Sequence, residues 1–281
     1  MATIHPTAVI DPKAELADDV DIGPFCYVAA DVRIGGGCRL ISHVCVLGPT
    51  TLGRSNTIWP NTVLGGDPQD LKYRGERSEL VIGDHNEIRE NVTVHRGTAN
   101  DHALTRIGDH NLIMAYAHVA HDCIIGHHVI LANGVGLAGH VSIEDHSAVG
   151  AHTGVHHFVT IGQYSYVGGM TRLVQDVPPY MLVEGNPAKV RAINAIGLAR
   201  HQFEEKSVER LKQACRSLFR NAADGTGVGQ MAAKLCDIEQ QYPDDPHIAA
   251  LVAFCRNTTG GMHGRYRESL RQDDRRAQAQ R

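Results

Sequence analysis

Aliphatic residues recur every six positions along most of this chain of 281 residues. The series runs from Ile4 to Leu64, returns in the same register at Ile82, and after a slip of one residue continues from Ile107 to Leu173. Neither the helical period of about 3.6 residues nor the simple alternation of a strand produces this spacing. A six-residue unit fits one short strand and one turn, and three units make a coil of about 18 residues. The pattern therefore predicts a parallel β-helix in preference to a β-sandwich.

Two polar segments, 67–80 and 99–106, interrupt the aliphatic series. We expect both to project from the coil as insertions. Loops that project from a rigid scaffold often carry binding residues, so these segments are candidates for substrate contacts. The alternative is that they are passive surface loops.

Beyond Tyr180 the six-residue period gives way to helical spacing. Apolar residues three and four positions apart predict helices over 203–219, 231–242 and 246–255. Residues 221–229 are expected to form a linker between the first two of these helices.

The predicted architecture is mainly β, with a small α-helical domain at the carboxyl-terminal end. We assign residues 1–189 to the coil domain and residues 190–258 to the helical domain. Residues 259–281 are rich in Gly, Arg and Gln, and we expect them to be a flexible tail.

Composition narrows the class of protein. The formal net charge of −4 gives no general attraction to nucleic acid or to an anionic membrane. The sequence shows neither a signal peptide nor an apolar run long enough to insert stably into a membrane. The 7 cysteines form no CxxC pair, and we interpret them as reduced thiols of a cytoplasmic protein.

The six-residue repeat predicts where histidines of the coil lie, and the chain contains 18 histidines in all. Residues three repeats apart lie on the same face of the coil, in successive turns. His121, Gly139 and His157 are therefore predicted to form a column. The residues placed around this column are His118, at the corner just before His121, and the flanking His140 and His156.

Such a column suits general-base catalysis. A neutral histidine accepts a proton near pH 7, so His121 could deprotonate a hydroxyl group. Asp122 could orient the ring, provided that a local bend brings the two neighbouring side chains together. The backbone N–H of Gly139 could donate to an oxyanion.

Two other interpretations of the histidines remain open. His152 and His157 have an HxxxxH spacing that resembles the zinc ligands of γ-class carbonic anhydrases, which would need a third His from another subunit. Alternatively, several histidines that share one repeat position are simply tolerated at turns. These are His110, His128, His140, His146 and His152.

Five motifs, taken in their order and spacing, resemble the acyl-[acyl-carrier-protein]–UDP-N-acetylglucosamine O-acyltransferases, a family that performs the first step of lipid A biosynthesis. The resemblance covers roughly residues 4–256. The motifs are Gln69-Asp70-Leu71-Lys72-Tyr73, His95-Arg96-Gly97-Thr98, Ala120-His121-Asp122-Cys123, Leu137-Ala138-Gly139-His140 and Gln175-Asp176-Val177-Pro178-Pro179-Tyr180.

The resemblance implies a left-handed coil and a cytosolic homotrimer with active sites in clefts between adjacent coils. It implies that His121 is the general base, that Asp122 supports it, and that the Gly139 N–H faces the thioester oxyanion. It also implies substrate-binding roles for Gln69, Asp70 and Lys72 in the insertion, for His118, His140 and His156, for Gly169 as a hydrocarbon ruler, and for Asn194 and Arg200 at the uridine diphosphate.

Three positions depart from the family pattern. His157 stands where the family has Gln, His201 stands where it has a second Arg, and Ile196 stands where it often has Glu. These changes bear on nucleotide binding and on chain length more than on the class of reaction. We still expect His157 to contact substrate.

The predicted reaction transfers a 3-hydroxyacyl group from acyl carrier protein to the 3-OH of UDP-N-acetylglucosamine, without a metal or redox cofactor. N-acyl transfer to a 3-amino UDP-sugar is the nearest alternative. The later N-acyltransferase of the pathway usually carries a domain before its coil, whereas the aliphatic series here begins at Ile4. A γ-type zinc carbonic anhydrase and a non-enzymatic binding scaffold are alternatives from other classes.

Overall fold

The structure is a computed structural model that describes residues 1–99, 101–220 and 228–259. Short strands from three sides of a triangular coil assemble into three sheets of eleven, nine and eight strands. Except at the end of the first sheet, each strand pairs with the strand that lies three strands away along the chain. All of the pairs are parallel apart from one terminal pair.

The strands of the three sheets follow in their spatial order. The first sheet contains Thr3–Ile4, Asp21–Ile22, Arg39–Leu40, Thr57–Ile58, Glu87–Ile88, Leu112–Ile113, Ile130–Leu131, Ala148–Val149, Tyr166–Val167, Met181–Glu184 and Lys189–Ile193. The second sheet contains Val9–Ile10, Tyr27–Val28, Cys45–Val46, Val63–Gly66, Thr93–His95, His118–Val119, Gly136–Leu137, Gly154–Val155 and Arg172–Leu173. The third sheet contains Glu15–Leu16, Val32–Ile34, Thr50–Leu52, Glu79–Ile82, Leu104–Ile107, Ile124–Ile125, Ser142–Ile143 and Thr160–Ile161.

The aliphatic series forms the core of the coil. In a typical two-residue strand the second residue points inward and is buried, as at Ile113, Leu131 and Val149, which are in register in successive coils. Backbone hydrogen bonds join the coils, for example from Met114 N–H to the Leu131 carbonyl at 2.8 Å. Each coil thus buries its apolar side chains against its neighbours, as the repeat predicts.

The corners of the coil use left-handed backbone at one fixed repeat position. The five histidines that share this position have φ between 56° and 64°. Asn, Asp and His are enriched among the non-glycine residues that adopt this conformation. Three of them, His110, His128 and His146, also stack ring on ring, with centroids 4.7 to 4.9 Å apart. The turn interpretation therefore accounts for most corner histidines.

The two insertions are shorter than the polar segments suggested. The strands Glu79–Ile82 and Leu104–Ile107 begin inside the segments predicted as 67–80 and 99–106. Leu80 pairs with Thr50 in the neighbouring coil and is fully buried. Backbone pairing and burial therefore place it in the sheet, although the residues before it in the chain are mostly polar.

The carboxyl-terminal region is helical, with bounds that differ from the predicted ones. Its elements are α1 (Ala195–Arg200), α2 (Glu205–Cys215), a π-helical turn (Arg216–Arg220), α3 (Val228–Gln241) and α4 (Pro246–Thr259). Helix α1 was not predicted, because six residues are too few to show a helical period. Residues 221–227 of the predicted linker and the tail from 260 onward lie outside the described residues.

An antiparallel pair ends the coil. Strand Met181–Glu184 continues the first sheet, and Lys189–Ile193 folds back against it. Tyr180, which is buried, joins the helical core, where its ring lies against Phe203 and His247. The predicted domain boundary at residue 189 stays a prediction. No helix among the described residues is both long and apolar enough to cross a lipid bilayer.

Candidate active site

One face of the second sheet forms the wall of a cleft of about 540 Å³. The first residue of each two-residue strand points outward, which places His118, Gly136, Gly154 and Arg172 in a row over four successive coils. A Cβ built on either glycine would meet nothing within 4 Å, so the cleft is open above these two residues. The other polar side chains of the wall belong to Gln69, His121 and His156.

The cleft contains a histidine–carboxylate pair. Asp122 has a φ of 59°, which supplies the bend that neighbouring residues need in order to face each other. His121 Nδ1 lies 2.8 Å from Asp122 Oδ2. Because a carboxylate only accepts hydrogen bonds, Nδ1 carries the proton, and Nε2 of the neutral ring keeps a lone pair. His121 thus has the tautomer that a general base requires.

Thr98, which immediately precedes the second insertion, holds the Asp122 carboxylate. The Thr98 N–H donates to Oδ1 at 2.9 Å, and the Thr98 hydroxyl donates to Oδ2 at 2.7 Å. The Asp122 N–H in turn donates to Thr105 Oγ1 at 2.8 Å. The Asp122 side chain is fully buried. Sequence reasoning assigned no role to Thr98 or Thr105, although Thr98 ends one of the quoted motifs.

Gly139 lies directly against the His121 ring, one coil away, as the column predicts. A Cβ built on Gly139 would lie 2.5 Å from His121 Cε1 and 2.7 Å from Nε2. The adjacent Ala138 and His140 N–H groups both join coils, whereas the Gly139 N–H has no hydrogen-bond partner within the part of the chain that the structure describes. A free N–H beside a general base is the arrangement that an oxyanion requires.

His118 lies in a strand, which corrects its predicted place at a corner. Its strand pairs with Gly136–Leu137, and its Nδ1 is hydrogen-bonded to the Thr93 hydroxyl at 2.7 Å. The His95 ring meets it edge to face, 4.9 Å away. Burial lowers the pKa of His118, and nearby His121 lowers it further. Burial, followed by the neighbouring His118 and His121, lowers the pKa of His95 to about 4.

The low pKa of His95 predicts a pH-dependent stability. The folded protein keeps His95 neutral, whereas the unfolded chain takes up a proton below pH 6.5, so stability should fall as the pH drops from 6.5 toward 4. The shift corresponds to at most about 3 kcal/mol. The free energy of unfolding is measured in urea at pH 7 and at pH 5. Its decrease between the two pH values should be smaller for His95→Gln than for the wild-type protein. Equal losses would contradict this origin of the pH dependence.

His140 lies beside the pair and is held by a second carboxylate. Its Nδ1 is 2.7 Å from Asp101 Oδ2, and its ring stacks on Phe158 with a centroid separation of 4.4 Å. The ring also meets His121 edge to face at 5.1 Å. Asp101 belongs to the second insertion. It was not predicted, because the six-residue period does not extend through an insertion and so cannot place its residues.

The structure brings only some of the predicted substrate-binding residues to this cleft. Gln69 and His156 line it, and Asp70 and Lys72 adjoin Gln69, with Lys72 Nζ 3.9 Å from Asp70 Oδ2. The His157 ring packs against His156 with centroids 3.8 Å apart. His157 itself is absent from the described lining.

Three further predicted site residues, nearer the carboxyl-terminal end of the chain, also lie outside the described lining of the cleft. Gly169 is exposed at a corner of the coil. Asn194 caps α1 by accepting from the Gly197 N–H at 3.1 Å, and its amide donates to the Tyr164 carbonyl at 2.9 Å. Arg200 is exposed in the last turn of α1. Their predicted roles remain predictions.

The zinc interpretation named His152 and His157. Among the described residues, the group whose ligand atoms lie close enough to share an ion is instead His121, Asp122 and His140, within 4.8 Å of one another. Both histidines of that group direct Nδ1 toward carboxylates in hydrogen bonds. The geometry therefore offers no support for the predicted HxxxxH ligand pair.

Two family models match the chain. The model described as Udp N-acetylglucosamine O-acyltransferase, domain 2, matches residues 176–263. The model described as bacterial transferase hexapeptide (six repeats) matches residues 104–139, which include the His121–Asp122 pair and Gly139. The two matches therefore lie in the part of the coil that carries the His121–Asp122 pair and in the carboxyl-terminal region.

Curated relatives match almost the whole chain. The acyl-[acyl-carrier-protein]–UDP-N-acetylglucosamine O-acyltransferase of Halorhodospira halophila is 42% identical over 262 residues, which cover 93% of this chain and 99% of the relative. The protein of the same name from Saccharophagus degradans is 46% identical with the same coverage.

Solved structures agree with the sequence matches. LpxA from Acinetobacter baumannii has a TM-score of 0.86 at 41% identity, covering 93% of this chain and 98% of that one. LpxA, a UDP-N-acetylglucosamine acyltransferase from Bacteroides fragilis, has a TM-score of 0.87 at 37% identity, covering 91% and 98%. These matches and the parallel topology confirm the predicted fold class. The chain belongs to the family of acyl-[acyl-carrier-protein]–UDP-N-acetylglucosamine O-acyltransferases.

Proposed function

We propose that this protein transfers a 3-hydroxyacyl group from acyl carrier protein to the 3-OH of UDP-N-acetylglucosamine, the first step of lipid A biosynthesis. The observation that carries the proposal is the His121–Asp122 pair stacked over Gly139 in a cleft of a chain that belongs to this family. The pair supplies a base, and Gly139 supplies a free N–H beside it.

The geometry supports a mechanism without a covalent intermediate on the enzyme. His121 Nε2 takes the proton of the acceptor hydroxyl as its oxygen attacks the thioester carbonyl carbon. The Gly139 N–H donates to the oxyanion of the tetrahedral intermediate. The C–S bond then breaks, and the imidazolium returns the proton to the leaving thiolate. Asp122, anchored by Thr98, stabilises the imidazolium between these two steps.

The neutral surroundings of His121 favour this role. His95 and His118 both have pKa values lowered by burial, so neither adds a positive charge beside the base near neutral pH. A neighbouring cation would disfavour protonation of His121 during the reaction. These two rings therefore help His121 to accept the proton.

We propose that substrate binding involves residues from more than one copy of the chain. Lys72 and Arg200 are suited to hold the diphosphate by charge-assisted hydrogen bonds. Asn194 is suited to contact the nucleotide, and Gly169 to limit the length of the acyl chain. Since Gly169, Asn194 and Arg200 lie outside the cleft of their own chain, a homotrimer that places them on a neighbouring cleft would complete the site.

A transfer assay tests the function. The purified protein is incubated with acyl carrier proteins loaded with 3-hydroxyacyl chains of graded length, and with either UDP-N-acetylglucosamine or its 3-amino analogue. We expect an O-acylated product and a clear optimum of chain length. Exclusive turnover of the 3-amino sugar would establish the N-acyltransferase alternative, and no turnover of either acceptor would overturn the proposal. Light scattering on the same sample tests the trimer.

A further inference from the structure

Arg96 lies where the first insertion leaves the coil. The second sheet reaches Gly66, whose partner in the next coil is His95, and the insertion begins at the following residue. The Arg96 N–H donates to the Gly66 carbonyl at 3.0 Å. The side chain of Arg96 therefore starts one coil away from the point of departure.

The guanidinium of Arg96 contacts both the coil and the insertion. Its Nη1 donates to the carbonyls of Gly48 at 2.5 Å and Gly65 at 2.9 Å, both in the coil. Its Nη2 donates to the Asp67 carboxylate and, at 3.1 Å, to the Tyr73 hydroxyl, both in the insertion. One nitrogen thus binds the scaffold, and the other binds the loop that projects from it.

Burial of the guanidinium favours these contacts, although the Asp67 side chain that it pairs with is 71% exposed. Arg96 is 8% exposed, and a buried cation is destabilising unless it is paired and hydrogen-bonded. The planar fork of arginine serves four acceptors in fixed directions, which a lysine cannot do. The guanidinium therefore constrains where Asp67 and Tyr73 lie.

The network continues within the insertion. The Tyr73 hydroxyl donates to the Glu76 carbonyl at 3.2 Å, and the Tyr73 N–H donates to the Asp70 carbonyl at 3.0 Å. Gln69 lies between the two residues that Arg96 holds, and it lines the cleft together with His121. A shift of Asp67 or Tyr73 would therefore move Gln69 relative to the base.

We propose that Arg96 is a positioning residue that fixes the insertion against the coil, so that Gln69, Asp70 and Lys72 meet the substrate. This role rests on the proposed function, because it is expressed through substrate binding. Arg96 acts through the insertion and touches no reacting atom. Misplacing a binding group by about 1 Å can lower the rate as much as a hundredfold. Arg96 can therefore influence turnover through the position of the insertion, without touching the substrate.

The test removes the contacts of Arg96 with the insertion and keeps its contacts with the coil. In the double variant Asp67→Ala/Tyr73→Phe, the Arg96 contacts to Gly48 and Gly65 remain. We expect the KM for at least one substrate to rise about tenfold, with kcat within about threefold, and the melting temperature to fall because the buried guanidinium loses its carboxylate partner. Arg96→Lys should show a smaller rise in KM than Arg96→Gln, because it retains the charge.

Arg77→Gln is the matched control. Arg77 belongs to the same insertion, but its side chain is 68% exposed and pairs with Asp31 and Glu79 at the surface. Its KM values should match those of the wild-type protein. Wild-type KM values in the double variant, or a lower melting temperature with unchanged KM values, would overturn the positioning role. Absence of transfer by the wild-type protein would instead count against the proposed function, so the two failures are distinguishable.

Discussion

His121→Ala should lower kcat/KM for acyl transfer by at least about a hundredfold, the usual contribution of a positioned general base. Asp122 holds the Nδ1–H, so the Nε2 lone pair is presented in the cleft, and alanine offers no replacement for it. The measurement is steady-state transfer from an acylated carrier protein to UDP-N-acetylglucosamine, with the folded state checked by thermal unfolding.

His152→Ala is the control for this substitution. His152 is a corner histidine with positive φ, and it lies outside the described lining of the cleft. We expect it to retain normal turnover. Near-normal turnover of His121→Ala would remove His121 as the base, and a large loss in His152→Ala would revive the interpretation in which His152 is a functional ligand.

Gly139→Ala should cost on the order of a hundredfold in kcat, although it adds a single methyl group. The new Cβ would lie 2.5 Å from His121 Cε1, closer than real contacts allow, so the ring must move. The movement would disturb the Nδ1 hydrogen bond to Asp122 and the distance from Nε2 to the acceptor. Removal of one oxyanion donor alone lowers kcat about 10²–10³-fold. Displacement of the backbone N–H of residue 139 would therefore add to the loss.

Gly136→Ala offers a comparison in the same wall of the cleft. A Cβ there meets nothing within 4 Å, so the methyl group projects into open space. Its effect on kcat should be much smaller than that of Gly139→Ala. If the two variants lost activity equally, contact with His121 would not be the reason for glycine at position 139.

Much of the fold was predictable because the coil is local in sequence. An inward aliphatic residue every six positions identifies strands. Away from the insertions each strand pairs with one 18 residues away, so the repeat alone places His121 beside Gly139. The insertions could not be treated in this way. Insertion residues have no fixed position in the repeat, so the contact of Asp101 with His140 became visible only in three dimensions. The same holds for the contact of Asp122 with Thr98, which immediately precedes the second insertion.

The antiparallel end of the coil was missed for a related reason. Lys189–Ile193 turns back on Met181–Glu184, and the aliphatic register, which ends at Leu173, gives no information about either strand. Helix α1 is also hidden, since its six residues are defined by the Asn194 cap more than by an apolar face.

The amino-acid sequence alone was sufficient to predict the coil, the column of His121 and Gly139, and the family resemblance that implies their roles. Tertiary structure decided the bend at Asp122, the anchoring of its carboxylate by Thr98, and the clamp of Arg96 on the first insertion. Periodicity reports which side chains share a face, because stacked coils repeat the same geometry. Backbone bends and contacts from irregular loops depend on packing between segments that have no fixed spacing, so only the folded chain reveals them.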